Sequence, residues 1–351
     1  MEQSHRAMRI AASFTCAATL FLAACSDTAV APPTRAVPTD AASLTKDPDV
    51  MLNGPRIFHT KPWHDIDNAA HGHGGGGGGS NNGISFHGGP VLQSGTNVVA
   101  VYWASSPIYV NGPTPGTSGA NAADQSLVGQ FLRSLGGSHY FNINSTYTDG
   151  SRAIVNSVSY TGYWANNSGV PANGQNVSDQ NMLDMLSSGF TSGALTYDSH
   201  TLYAIFTAGT VNLGGGFGTQ YCAYHWFGTV NTPGGSRTVL YAAMPYDHAY
   251  SGACDMFTMW GPANASFDPG ADAEVNTLAH ETEETTTDEL GNAWFDSRGF
   301  ENADKCAWTF GNGVFGTSAG GVANVTLNGK NYLIQQNWVN ANGGGCAMQW
   351  P

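Results

Sequence analysis

Charged side chains are scarce in this chain of 351 residues. Asp, Glu, Lys and Arg together make up 11% of it, against ~25% in ordinary globular domains. Basic residues are the scarcest, because 12 Lys and Arg stand against 25 Asp and Glu, for a formal net charge of −13 at pH 7. Phosphate backbones are bound by basic surfaces, so we exclude nucleic acid as a partner. The excess of Asp and Glu over Lys and Arg is compatible with cation binding.

Long apolar runs are also absent. The apolar run at residues 10–24 falls short of the ~20 residues that a spanning helix needs, and no other segment comes near that length. Arg6 and Arg9 precede this run and small residues follow it, which is the order of a secretory signal. Residues 22–25, LAAC, resemble a bacterial lipobox.

We therefore predict that residues 1–25 are a lipoprotein signal peptide and that Cys25 carries the lipid. The protein would then be exported to a bacterial outer membrane or cell surface, with the lipid anchor as its only membrane contact. A plain secretory signal is the alternative.

Residues 26–82 contain few side chains that could enter a core. Proline, alanine, serine and glycine dominate, and the segment ends in HGHGGGGGGSNNG. Such a composition is flexible or polyproline-like, so we predict a disordered Pro/Gly-rich tether in which His71 and His73 are solvated. Residues 83–351 show no internal linker or repeat, and their length suits one globular domain.

Two common catalytic motifs are missing. No G-x-S-x-G occurs, which argues against a serine hydrolase. The glycine-rich run at residues 214–218 lacks the helix that follows a phosphate-binding loop.

Cysteine is rare as well. Four cysteines lie in the predicted globular domain, at positions 222, 254, 306 and 346. An even number in an exported chain predicts disulfides. Of the three possible pairings we favour the local one, Cys222–Cys254 with Cys306–Cys346. A thiolate zinc site is disfavoured because the wide spacings contain no C-x-x-C pair.

Short apolar runs and helical periods indicate the fold class. Residues 96–103 and 201–207 are β-branched and aromatic, which predicts buried strands, and the alternation at residues 152–160 predicts another. Residues 123–135 have a helical period. Strands mixed with helices predict an α/β or α+β fold, with helices packed on a mixed sheet.

The most informative stretch is acidic, LAHETEETTTDELGNAWFDSRGFENADKCAW at residues 278–308. His280 and Glu284 stand four residues apart, so a helix places them on one face, with Glu281 beside them. This is the layout of a zincin active-site helix with glutamate in place of the second histidine. We predict a helix capped by Asp272, whose last turns are weakened by threonines.

Zinc in a catalytic site is held by three protein ligands and keeps one open position. We predict His280, Glu284 and Asp304 as the ligands, because Asp304 follows Glu284 at the separation seen in gluzincins. Glu281 would be the general base that accepts a proton from zinc-bound water. The carboxylate-rich set also tolerates calcium or manganese. Alternative third ligands are Glu301, Asp288 and His225.

An acidic helix is more often a solvated face than a metal site. Against that interpretation, Glu281, Glu283 and Glu284 would repel one another unless a cation lies among them. We therefore favour the metal site.

Several blocks together resemble the EXORDIUM-like, or phosphate-induced protein 1, family of exported plant proteins and their bacterial relatives. They are HGGPVL with the strand to Trp103, YCAYH, AHETEETTTD, WFD, ENADKC and NGKNYLIQQNW. The resemblance implies an extracellular or wall-associated protein of no settled activity. It also places the recurrent His-Glu-x-x-Glu of the family on His280, Glu281 and Glu284. The chain departs from its relatives at Asp288-Glu289 and in its lipobox.

Two functions follow from these observations. The first is a surface lipoprotein with a zinc-dependent, peptidase-like hydrolase site. The second is a non-catalytic surface module, with a structural metal or none, that binds a peptide, a protein partner or a cell-wall polymer. For the second, aromatic side chains that could stack on sugars are Trp226, Trp260 and Trp338.

Overall fold

Six strands form the central sheet of the computed structural model, which describes residues 83–265 and 268–351. The strand order is β3-β4-β2-β5-β7-β6. The four inner strands are parallel, and both edge strands, β3 and β6, run antiparallel to their neighbours. Strands of this sheet are β2 Thr96–Trp103, β3 Thr117–Gly119, β4 Val158–Asn166, β5 Thr201–Thr207, β6 Tyr224–Thr232 and β7 Gly235–Pro245.

Within the described ranges, the remaining elements are shorter strands and four α-helices. Four two-stranded pairs join β1 with β8, β9 with β10, β11 with β12 and β13 with β14. The helices are α1 Leu127–Leu135, α2 Asp179–Ser192, α3 Met256–Trp260 and α4 Pro269–Thr287, and 3-10 turns span Asn121–Ala123, Phe141–Thr146, Asp247–Tyr250 and Asp304–Cys306. The short strands are β1 Ser85–Phe86, β8 Trp294–Phe295, β9 Phe315–Gly316, β10 Val322–Ala323, β11 Val325–Leu327, β12 Lys330–Tyr332, β13 Asn337–Val339 and β14 Gly345–Ala347.

Helices cover both faces of the sheet. Successive side chains of a strand point to opposite faces, and in β2 Val98 and Ala100 pack with α1 and α4, whereas Val101 and Trp103 pack with α2. The result is a three-layer, mixed α/β domain. The fold class predicted from the sequence is confirmed.

Helix α4 lies inside the domain rather than on it. It contacts β5, β6 and β7 on one side and α1, α3 and two 3-10 turns elsewhere, and every residue from Gly270 to Thr287 is buried. Its apolar face, with Val275 and Leu278, joins the core beneath the sheet. Its acidic residues are therefore placed in the interior.

The ends of α4 differ from the sequence prediction. Asp268, not Asp272, caps the helix, because Asp268 accepts the N–H of Ala271 and Pro269 occupies the first turn. The last turns do not fray. Four threonine hydroxyls donate to carbonyls one turn back, from Thr282 to Leu278, from Thr285 to Glu281, from Thr286 to Thr282 and from Thr287 to Glu283. This bonding satisfies the hydroxyls of a helix that is buried all round.

Three further expectations can be compared with the structure. Both disulfides form in the predicted pairing, Cys222–Cys254 and Cys306–Cys346. The strand expected at residues 152–160 begins only at Val158. Trp338 is a core residue with 2% exposure rather than a surface aromatic, whereas Trp226 and Trp260 are half-buried.

Lipidation of Cys25 and the tether with His71 and His73 fall within residues 1–82, outside the described residues. Among the residues that the structure does describe, no helix is both long enough and apolar enough to cross a membrane.

The first turn of α4 generates a prediction about pH. Burial raises the pKa of Asp272 to about 7, even though its Oδ2 accepts the N–H of Ala263. The folded state therefore retains a proton that the unfolded chain releases, so this contribution to stability is present in acid and is lost as the pH rises through 7. We measure the free energy of unfolding in urea from pH 5 to 8. Per pH unit, we expect it to fall by up to ~1.4 kcal/mol less in Asp272→Asn than in the wild type. Parallel curves for the two proteins would contradict this.

Candidate metal centre

The imidazole of His280 and the carboxylate of Glu284 lie one turn apart on α4 and contact each other. His280 Nε2 lies 2.9 Å from Glu284 Oε1. This contact follows from the four-residue spacing, since residues four apart are neighbours on a helix. Both side chains have 0% exposure, so the contact is made away from water.

The structure also brings the third predicted ligand to this point. Asp304 begins a 3-10 turn, and its Oδ1 lies 3.5 Å from His280 Nε2. The backbone N–H of Asp304 donates to Glu284 Oε1 at 3.0 Å. His280, Glu284 and Asp304 are thus in mutual contact.

A second imidazole enters from the edge strand β6. His225 Nδ1 donates to Glu281 Oε2 at 3.2 Å and lies 3.5 Å from Glu284 Oε2. Its Nε2 is 3.9 Å from Glu301 Oε2. Of the alternative ligands, His225 and Glu301 therefore lie in the same cluster, on the far side of Glu284 from His280.

Asp288 has a different role from the other carboxylates. It ends α4, and its Oδ1 accepts the N–H groups of Asn292 and Ala293, both at 2.6 Å. These bonds close the turn that leads from the helix to β8. Asp288 is therefore tied to the backbone, although its Oδ2 accepts no hydrogen bond within the described residues.

A glutamine that the sequence analysis missed orients His280. Gln335 Nε2 donates to the carbonyl of Ala303, so its Oε1 faces His280 and accepts from Nδ1 at 3.2 Å. With the hydrogen held on Nδ1, Nε2 is the nitrogen that faces the carboxylates. Outer contacts of this kind commonly fix the tautomer of a ligating histidine. Gln335 lies in the family-like block NGKNYLIQQNW, but nothing in that block relates the glutamine to His280.

The cluster is electrostatically strained. Burial alone would lower the pKa of His225, but its hydrogen bond with Glu281 and its contact with Glu284 outweigh burial and raise that pKa to about 10. The pKa of His280 is raised as well, since Glu284 and Asp304 outweigh its burial. Burial and then the charge of Glu284 raise the pKa of Glu301 far above its usual value. Protons on the histidines offset the negative charge of the carboxylates. A metal ion that bound here would displace those protons from the imidazoles.

Several buried atoms of the cluster have no hydrogen-bond partner in the described part of the chain. They are His225 Nε2, His280 Nε2, Glu281 Oε1, Glu284 Oε2 and both carboxylate oxygens of Glu301. Buried polar atoms are rarely left so in native proteins. Imidazole nitrogen and carboxylate oxygen are both groups that can coordinate zinc, so this cluster is the candidate metal centre.

The solvated-face interpretation of the acidic helix is wrong. Glu281, Glu283 and Glu284 all have 0% exposure. Glu283 points away from the cluster, where its Oε2 accepts from Asn337 at 2.6 Å. Only Glu281 and Glu284 of the three share the centre with the histidines.

Comparison with known proteins identifies the family. The model of the phosphate-induced protein 1 conserved region matches residues 84–343. This range contains every candidate ligand. No curated protein and no solved structure matches the chain.

Proposed function

This chain belongs to the phosphate-induced protein 1 family, and we propose that its domain is an exported surface module built around a buried divalent-metal centre. The observation that carries the proposal is the meeting of two imidazoles and four carboxylates in the interior. They come from β6, from α4 and from residues 301–304. Within the segments that the structure describes, the two histidines and the three glutamates each have at least one side-chain atom without a hydrogen-bond partner.

The donor set favours a transition metal. Removing an ionised carboxylate from water is costly unless the charge is paired, and a divalent cation among these groups offsets that cost. Imidazole suits zinc, whereas calcium prefers oxygen ligands throughout. Zinc is therefore the first candidate, with manganese next. His280, Glu284 and Asp304 would hold it.

Burial supports a structural rather than a catalytic role for the proposed ion. Structural zinc sites are closed, and catalytic ones keep a position open to water and substrate. His280, Glu284 and Glu301 have 0% exposure, which favours the closed type. An ion here would fasten α4 to the 3-10 turn at Asp304, a separate element of the chain. The primary role of the ion is then to stabilise a surface module.

Metal analysis of the purified protein tests the centre. We expect zinc to co-purify with the wild type and its content to fall in His280→Ala and Glu284→Gln. Chelation should lower the melting temperature of the wild type by about 5 °C or more, because a ligand at 100 times its Kd stabilises by ~2.7 kcal/mol. Both variants should respond less to chelator than the wild type does.

The matched control is Glu274→Gln. It makes the same change at a buried carboxylate of the same helix, about two turns before Glu281, where Glu274 accepts the N–H of Asp247. This variant should keep its metal. Metal content unchanged in both His280→Ala and Glu284→Gln, with native circular dichroism, would reject the centre.

A second candidate function is zinc-dependent, peptidase-like hydrolysis. The observation that favours it is Glu281, which lies beside the ligands with its Oε1 unbonded within the described segments. A bound zinc would polarise a carbonyl and acidify water, and Glu281 would take the proton from that water. Carboxylate ligands offset more of the zinc charge than imidazoles do, so the water would be acidified less.

Glu281→Gln separates hydrolysis from metal binding. The zinc-loaded wild type should cleave a mixture of quenched fluorescent peptides, and the variant should keep zinc but cleave about 10²–10⁴-fold more slowly. If the loaded wild type cleaves none of them, the hydrolase is rejected and the structural centre stands. Equal rates in the two proteins would remove Glu281 from the role of base.

Export through a lipid anchor on Cys25 completes the proposal. It is supported by the basic, apolar and small-residue order before Cys25. It is also supported by the two disulfides, which persist in oxidising compartments.

Cys25→Ser tests the anchor. In a bacterial host labelled with radioactive palmitate, the wild type should carry the label and sediment with membranes. The variant should be unlabelled and leave the membrane fraction. Identical labelling and fractionation of the two proteins would contradict a lipid on Cys25.

A further inference from the structure

Glu284 is approached from two sides. Its Oε1 faces His280 Nε2 at 2.9 Å, and its Oε2 faces His225 Nδ1 at 3.5 Å. The imidazoles of α4 and β6 thus contact different oxygens of the same carboxylate. A single ion bound symmetrically to Glu284 would leave this division unexplained.

Each side has its own further donors. On the Oε1 side, Asp304 Oδ1 lies 3.5 Å from His280 Nε2. On the Oε2 side, Glu301 Oε2 lies 3.9 Å from His225 Nε2. Two sets of three donors, each with its ligand atoms within 4.8 Å of one another, share Glu284: His225 with Glu301 and Glu284, and His280 with Glu281 and Glu284.

Glu301 gives independent support for the second set. It has 0% exposure, and neither of its oxygens accepts a hydrogen bond in the part of the chain described. Nε2 of His225 is equally without a hydrogen-bond partner there. Such groups are expensive to bury without a ligand, and the His280 set does not use them.

Charge balance is compatible with two ions. Glu281, Glu284, Glu301 and Asp304 carry four negative charges when ionised, and two divalent ions beside neutral imidazoles balance all four. One ion balances the cluster only if His225 and Glu301 both keep a proton. Asp288 is left out of this count because two backbone N–H groups hold its Oδ1.

We infer that Glu284 bridges two divalent transition-metal ions, one held by His280 and Asp304 and the other by His225 and Glu301. This inference rests on the metal centre proposed above and adds a second ion to it. Carboxylate-bridged pairs of this kind have the ions roughly 3.5–4 Å apart. The second ion would fix the edge strand β6 to residue 301.

Metal stoichiometry tests the inference. The full chain is stripped with chelator, titrated with zinc sulfate alone, passed through gel filtration and measured by elemental analysis. We expect two ions per chain in the wild type and one in each of His225→Ala, Glu301→Gln and His280→Ala. Glu301→Gln keeps the shape of the side chain, so it remains informative if His225→Ala fails to fold. His248→Ala, which removes a half-buried histidine paired with Asp255, should keep both ions.

Electron paramagnetic resonance with manganese gives an independent readout. The wild type loaded with manganese should show an exchange-coupled signal, and Glu301→Gln should show the six lines of an isolated ion. Saturation of the wild type at one ion, with six lines, would overturn the bridge but leave the single centre standing. No binding at all in the wild type would reject the centre and the bridge together.

Discussion

The cost of burying carboxylates on α4 is the constraint on which the rest of the domain depends. Glu281 and Glu284 lie on a helix that the fold encloses on all sides. In a low-dielectric interior, like charges cannot remain close together without protons or cations between them. The surrounding segments supply His225, the turn at Asp304 and the glutamine behind His280. The architecture is therefore arranged around charge compensation as much as around apolar burial.

The sheet provides the geometry for this compensation. Helix α4 packs against the parallel strands β5 and β7. The antiparallel edge strand β6 places His225 in contact with Glu281 of that helix. Because β-strand side chains alternate between faces, Tyr224 and His225 point oppositely. Tyr224 joins the core around α2, while His225 contacts the carboxylates. A one-residue slip in the β6–β7 register would exchange them and remove an imidazole from the centre.

Local patterns in the sequence predict the contact between His280 and Glu284, but they relate that pair poorly to partners that are distant along the chain. The spacing of His280 and Glu284 is sufficient because helix geometry alone sets their distance. Asp304 was predicted from its separation along the chain. His225 could be named only as an alternative, since nothing local relates β6 to α4. Gln335 is not predicted at all. The cap is predicted at Asp272 rather than Asp268, because both residues are of the type that caps a helix. The threonines of α4 have a weak helix propensity, but burial in the domain keeps their turns helical. Their hydroxyls are satisfied there by hydrogen bonds to backbone carbonyls.

Both disulfides lie next to segments that bring donors to the centre. Cys222 stands three residues before His225, and Cys306 stands two residues after Asp304. A crosslink limits the freedom of the unfolded chain, and its effect grows with the length of the loop it closes. These links therefore restrain the segments that carry His225 and Asp304 when no ion is bound. In the proposed metal centre, an ion would stabilise through coordination the same junction that the disulfides stabilise through the covalent chain. Loss of that ion would then loosen the packing around α4 rather than unfold the domain.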